Sequence, residues 1–93
     1  MIVGIMTIEL FIPVSDSLKS KRFAIKSIKE RLKNRFNVSI SEVDNNDKWQ
    51  RATLGVAMVS NETKYIESNL SKILNYILCD HRVEVLDSKI TYI

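Results

Sequence analysis

Along the first dozen residues, "MIVGIMTIELFI", apolar side chains recur at every second position among β-branched neighbours. That pattern predicts a strand over residues 2–12, with Met6, Ile8, Leu10 and Ile12 on one face. Ile5, Thr7, Glu9 and Phe11 fall on the other. Pro13 has no N–H to donate, so it ends the ladder. "SDS" at 15–17 supplies oxygen side chains able to cap a helix. The period then lengthens: Leu18, Ile25, Ile28 and Leu32 form one stripe of a helix over about 18–35. Period two returns in "NVSISEVD" (37–44), with Val38 and Ile40 sharing a face. "DNNDK" (44–48) carries turn residues. "WQRATLGVAMVS" (49–60) reads as a third strand with Ala52, Leu54, Val56 and Met58 inward. Ser60 is placed to cap a second helix over about 61–78, striped by Ile66, Leu70, Ile73, Leu74 and Ile77. "RVEVLDSKITYI" (82–93) reads as a last strand whose alternation breaks near Leu86, the mark of a bulge.

The order is βαββαβ, which predicts an α+β protein of ferredoxin-like topology. Two helices would cover one face of a four-stranded antiparallel sheet and leave the other face open. Ninety-three residues, with only two Gly and one Pro, leave no room for a linker, so residues 1–93 form one domain. A chain of this length buries about 60–65% of its unfolded surface, enough for one core without an enclosed cofactor chamber. The lone Cys79 implies no internal disulfide, and the first residues match neither a signal peptide nor a membrane span. The expectation is a soluble, cytoplasmic protein.

Charge changes the picture. Net charge is only +3, but residues 17–35 hold eight Lys and Arg against Glu30 alone. The remaining residues hold six basic groups against ten acidic ones. Lys19, Arg22, Lys26, Lys29 and Lys33 follow helical spacings of three and four, so they form one ridge beside the apolar stripe, with no acid inside it. Such a row can track the phosphates of an RNA strand, whereas like charges at this spacing cost a merely solvated helix some stability. Arg31 and Arg35 are assigned as flanking contributors. Lys21 falls near the apolar stripe and is expected to snorkel, its stem over the core edge and its ammonium in water.

On the face turned away from the helices, Trp49, Arg51 and Thr53 share one parity. RNA-recognition motifs of this topology stack bases on aromatics of the central strands. "QRATLGVAMV" carries none, and there is no GxxG clamp. Val3, Ile5, Ala57 and Val59 make the other end of that face too apolar to stay wet comfortably. Together with Trp49 and Arg51 they define an expected oligomer or partner face, with a homodimer packed sheet against sheet as its simplest use.

Catalytic patterns are thin. Cys79, Asp80 and His81 are neighbours in "CDHR", and neighbours in sequence usually diverge in space, whereas a nucleophile and its base must converge. One Cys and one His do not complete a zinc site. Glu42, Asp44 and Asp47 lack calcium-loop spacing and read as turn chemistry. Gly4 and Gly55 cannot make a phosphate loop. No catalytic residue, metal or cofactor is expected.

"SLKSKR", "RLKNRFNVSISEVD" and "WQRATLGVAMVS" resemble, in order and spacing, the YlxP-like family of small bacterial proteins, long labelled a domain of unknown function. The resemblance runs from Met1 to about Leu78 and weakens in the last strand. It implies a ferredoxin-like fold in the bacterial cytoplasm. It also implies a ribosome-associated role, because genes of the family often lie near those of translation and ribosome-maturation factors. The family has no established catalytic residues to carry over. Ridge and resemblance together give a non-enzymatic RNA-binding factor acting on ribosomal RNA or a maturing ribosomal subunit. The alternative is a dimeric regulatory or scaffolding domain that binds a protein or a small anion.

Overall fold

Alternating burial along β1 (Ile2–Phe11) sets the frame of the molecule: Gly4, Met6, Ile8 and Leu10 are buried, and the residues between them are only partly covered. A strand with one wet and one dry face needs a layer on the dry side. That layer is α1 (Leu18–Arg35) and α2 (Thr63–Leu78), while β2 (Ser39–Asp44), β3 (Arg51–Ser60) and β4 (Glu84–Tyr92) complete the sheet. In this computed structural model, residues 1–13 and 15–93 are described. All strand pairs are antiparallel and the order is β2-β3-β1-β4. The expected ferredoxin-like α+β arrangement is therefore the observed one.

The core lies between sheet and helices. Met6, Ile8 and Leu10 of β1 and Leu54 and Val56 of β3 meet Ile25, Ile28 and Leu32 of α1 and Ile66, Leu70, Ile73 and Ile77 of α2. α2 presses close over β1 at Gly4, where an added Cβ would collide with Ile66 Cγ2. α1 begins where predicted: Ser17 Oγ accepts from Ser20 N at 3.0 Å, which satisfies one of the free N–H groups of the first turn. Lys33 and Arg35 in its last turn sit favourably at the negative end of the helix dipole.

Several boundaries differ from the sequence reading, each for a local reason. α2 starts at Thr63, with Glu62 at the N-cap making no side-chain bond. Ser60 is not its cap but accepts from Glu62 N at 3.2 Å in the preceding turn. β2 begins at Ser39, two residues later than expected. β3 begins at Arg51, so Trp49 lies outside the strand and is 56% exposed. β4 spans Glu84–Tyr92, and its register against β1 slips between Glu9 and Leu10, leaving Leu86 as the extra residue of the expected bulge. A second bulge, not foreseen, puts Val43 between Glu42 and Asp44. Its side chain lies over Gly55, where a Cβ would stand 3.0 Å from Val43 Cγ1.

The largest departure is Lys21. It does not snorkel. Its side chain is completely buried, and Nζ donates to Glu42 Oε2 (2.8 Å) and reaches the carbonyls of Asn45 (2.8 Å), Asn46 (3.2 Å) and Arg51 (3.1 Å). The ammonium ties α1 to both ends of the β2–β3 turn. Glu42, expected as turn chemistry, is instead the counter-ion of that clamp. Asn45 does fill the turn role, at φ 61°, where Asn is tolerated better than most residues.

Candidate nucleic-acid interface

α1 buries the face carrying Lys21, Ala24, Ile25, Ile28 and Leu32. The flank turned toward β2 carries Arg22, Lys26, Lys29 and Lys33, which line one shallow groove with Ile25, Glu30 and Glu42. Lys19 is exposed and continues the same row by helical spacing. The row was expected to be free of acids, and here the structure corrects the reading. Glu30 approaches Lys26 at 4.0 Å, and Glu42 forms part of the groove wall. Neither neutralises it. The Lys26–Glu30 side chains are 74% and 64% exposed, so their pairing is loose and screened. Glu42 is already committed to Lys21.

Arg31 and Arg35 do not join the row. They lie on the other flank, toward α2: Arg35 Cζ stands 5.4 Å from the Tyr76 ring centre, a cation–π distance. Arg31 borders a depression with Tyr76, Cys79, Asp80, His81 and Arg82. There Arg82 grips Asp80 with two bonds, Nε to Oδ1 at 3.0 Å and Nη2 to Oδ2 at 2.8 Å, and Nη2 also reaches Ser27 Oγ at 3.3 Å. These bonds hold the Asp80 carboxyl below the ordinary aspartate range and raise Arg82 in turn. Asp80 is thereby occupied as a turn anchor beside the exposed Cys79.

Sequence reasoning passed over Phe23. It is 73% exposed at the outer pole of α1 and shares a shallow depression with Lys26, Ser27, Glu30, Arg31 and Asn34. An apolar residue at that position breaks the helical stripe, and this was the available signal.

The uncovered sheet face has two ends. Val3 and Ile5 stand opposite Val59 and Ala57, and Val59 is 58% exposed. At the far end Thr53 Oγ1 donates to Glu9 Oε2 (2.8 Å) and accepts from Asn45 Nδ2 (2.9 Å), while Arg51 Nη2 lies 3.7 Å from Glu9. Arg51 is thus at the polar end, away from Val3, Ile5, Ala57 and Val59, and Trp49 is off the strand. The face assigned as one surface is an apolar patch and a separate polar network.

Fold and surfaces define a small α+β protein of ferredoxin-like topology with a cation-lined helix flank and an uncovered sheet face. It belongs to the family described as protein of unknown function (DUF503), whose model matches residues 3–90. The uncharacterized protein YlxP of Bacillus subtilis (strain 168) is 41% identical over 75 residues, a match covering 81% of this chain and 82% of that one. The expected YlxP-like membership is therefore shown, and the family match extends through most of β4. Among solved structures, the de novo designed protein Foldit4 superposes with a TM-score of 0.59 at 19% identity, over 98% of this chain and 97% of that chain. That likeness concerns the fold alone.

Proposed function

We propose that the protein is a non-enzymatic, cytoplasmic RNA-binding factor that acts on ribosomal RNA or a maturing ribosomal subunit. The observation that carries this reading is the α1 flank, where Arg22, Lys26, Lys29 and Lys33 line one open groove and its two acids are loosely paired or already engaged. Lysines set one helical turn apart present point charges at about 5–6 Å steps, a spacing suited to following phosphates. Contacts of that kind position a backbone and read little sequence. Phe23, exposed beside Lys26, supplies a flat apolar face on which an unpaired base can stack, an interaction worth about 1–3 kcal/mol in single-strand binders. Neither Arg31 nor Arg35 lines this groove, and only Arg31 borders the Phe23 depression, so the proposed site is narrower than the eight cations of the segment.

The test is co-sedimentation with purified ribosomal subunits across a salt series, for the wild type and for Lys26→Glu with Lys29→Glu. Both positions lie on the groove away from the core, so folding should hold within about ±0.5 kcal/mol per change. Pelleting should weaken with salt, and the double reversal should lower the log–log slope by about 0.7–0.9 for each phosphate that is no longer engaged. Binding that ignores both salt and reversal would sink the proposal. The alternative, a dimeric scaffolding or regulatory domain, draws its support from the bare apolar patch around Val59.

A further inference from the structure

The sheet ends in two unlike edges. β2 is six residues long and carries a bulge at Val43, features that blunt an edge against further pairing. β4 is nine residues long, has no Pro, and bulges only near its start, at Leu86. Its direction of hydrogen bonding can be read from its last pair. Val3 N donates to Ile93 O (3.0 Å) and Ile93 N donates to Val3 O (2.9 Å), so these residues form a hydrogen-bonded pair. By alternation Asp87, Lys89 and Thr91 turn their backbone groups toward β1. Ser88, Ile90 and Tyr92 turn theirs outward, where no strand among the described residues receives them. Beside this open ladder, Leu86, Ile90 and Tyr92 are 51%, 41% and 40% exposed. Ser88, Ile90 and Tyr92 stand opposite Ile8, Met6 and Gly4, and so lie on the helix side.

We infer that β4 pairs antiparallel with β4 of a second copy about a two-fold axis at Ser88, giving one continuous sheet across the dimer. The sequence "LDSKI" is self-complementary about that residue. Ser88 meets its own copy as a hydrogen-bonded pair, which uses the outward groups. Leu86 meets Ile90 of the second copy, and Ile90 meets Leu86, so exposed apolar residues fall at paired positions across the junction. Asp87 meets Lys89, and Lys89 meets Asp87. These are non-hydrogen-bonded pairs, with Cα atoms about 4.5 Å apart, where cross-strand side chains approach most closely. Among the described residues neither Asp87 nor Lys89 has an ion-pair partner within the chain. The register is also protected against slippage. Moving the axis to residue 87 sets Asp87 against Asp87, and moving it to residue 89 sets Lys89 against Lys89. Only the Ser88 register joins unlike charges, and charge complementarity therefore selects a second copy of this chain as the occupant.

Charge reversal tests the inference directly, with molar mass read by light scattering and sedimentation. Wild-type protein should dimerise. Asp87→Lys and Lys89→Asp, each alone, should weaken the dimer about tenfold or more, because two cross-strand pairs turn from opposite to like charge. An equimolar mixture of the two variants should recover dimer mass, since every pair across the interface is again Lys against Asp. The double variant Asp87→Lys with Lys89→Asp should recover it alone. Should either single variant fail to fold, hydrogen exchange on the wild type decides: amides of Ser88 and Ile90 must gain protection as concentration rises. The inference is overturned by a wild type that stays monomeric at high concentration without such protection. It is also overturned by a dimer indifferent to both single reversals, and the same dimer dissolved by Ile5→Glu would put the second copy on the open sheet face instead.

Discussion

Lys21→Met is the change by which the structure is most severely tested. Methionine matches the length of the stem but supplies no donor, so four acceptors are stripped of their partner together: Glu42 Oε2 and the carbonyls of Asn45, Asn46 and Arg51. Glu42 is the costly one, because its side chain is only 13% exposed and would be left as a nearly buried, unpaired carboxylate. Removing one partner of a buried ion pair typically costs about 3–5 kcal/mol. A chain of this length has roughly 5–14 kcal/mol of total stability, so the variant should retain about four fifths of it at the upper end and hardly fold at the lower. The assay is urea unfolding followed by far-UV circular dichroism, with the midpoint falling and the slope unchanged. Adding Glu42→Gln should restore part of the deficit, since the orphaned charge goes while the carbonyls remain unmatched. A drop below about 1 kcal/mol for Lys21→Met, or no recovery in the pair, would refute the clamp.

Gly4→Ala should destabilise by about 1–3 kcal/mol, since its Cβ meets Ile66 in a packed layer, and thermal unfolding would show the drop. Asn45→Ala should cost about 2 kcal/mol in denaturant titration, combining a positive φ without Asn's tolerance and the absence of the bond to Thr53. Asp80 gives a pH signature. Its pKa is lower in the folded chain, so its contribution is complete above the unfolded value near 4 and disappears as pH falls through the folded value. The stability gap between wild type and Asp80→Asn should therefore be widest at neutral pH and narrow below about pH 4. Phe23→Ala should leave unfolding nearly unchanged while weakening RNA binding, because the ring is exposed and carries no core packing.

Most of the architecture was legible because each element repeats its own period. β1 alternates in burial as its sequence alternates, and α1 buries the stripe that Ile25, Ile28 and Leu32 announce. The bulge at Leu86 was visible because alternation fails there, whereas Val43 disturbs no pattern that a single strand shows. Lys21 was opaque for a different reason. Its position on the buried face follows from helical spacing, but three of its acceptors are backbone carbonyls more than twenty residues away, and carbonyls leave no mark in a sequence. The ridge was legible as far as helical spacing reaches. Which flank meets β2 and which meets α2 depends on packing, and that is why Arg31 and Arg35, assigned as flanking contributors, line no part of the groove that holds the other cations.

The antiparallel junction of β1 with β4 also orders the molecule in time. Ile5 pairs with Ala57 on one side and Thr91 on the other, and closing the longer of those loops costs only about 0.5 kcal/mol more entropy. Chain length therefore hardly distinguishes the two strands. Side chains do: β3 brings Ala52, Leu54, Val56 and Met58 into the core, while no residue of β4 is fully buried. β4 is held by its ladder of backbone bonds more than by packing, which gives it a lower opening free energy than β3 in the monomer. In dilute, monomeric protein, amides bonded between β4 and β1 should exchange by local detachment, well ahead of those between β1 and β3, which must wait for the whole fold to open.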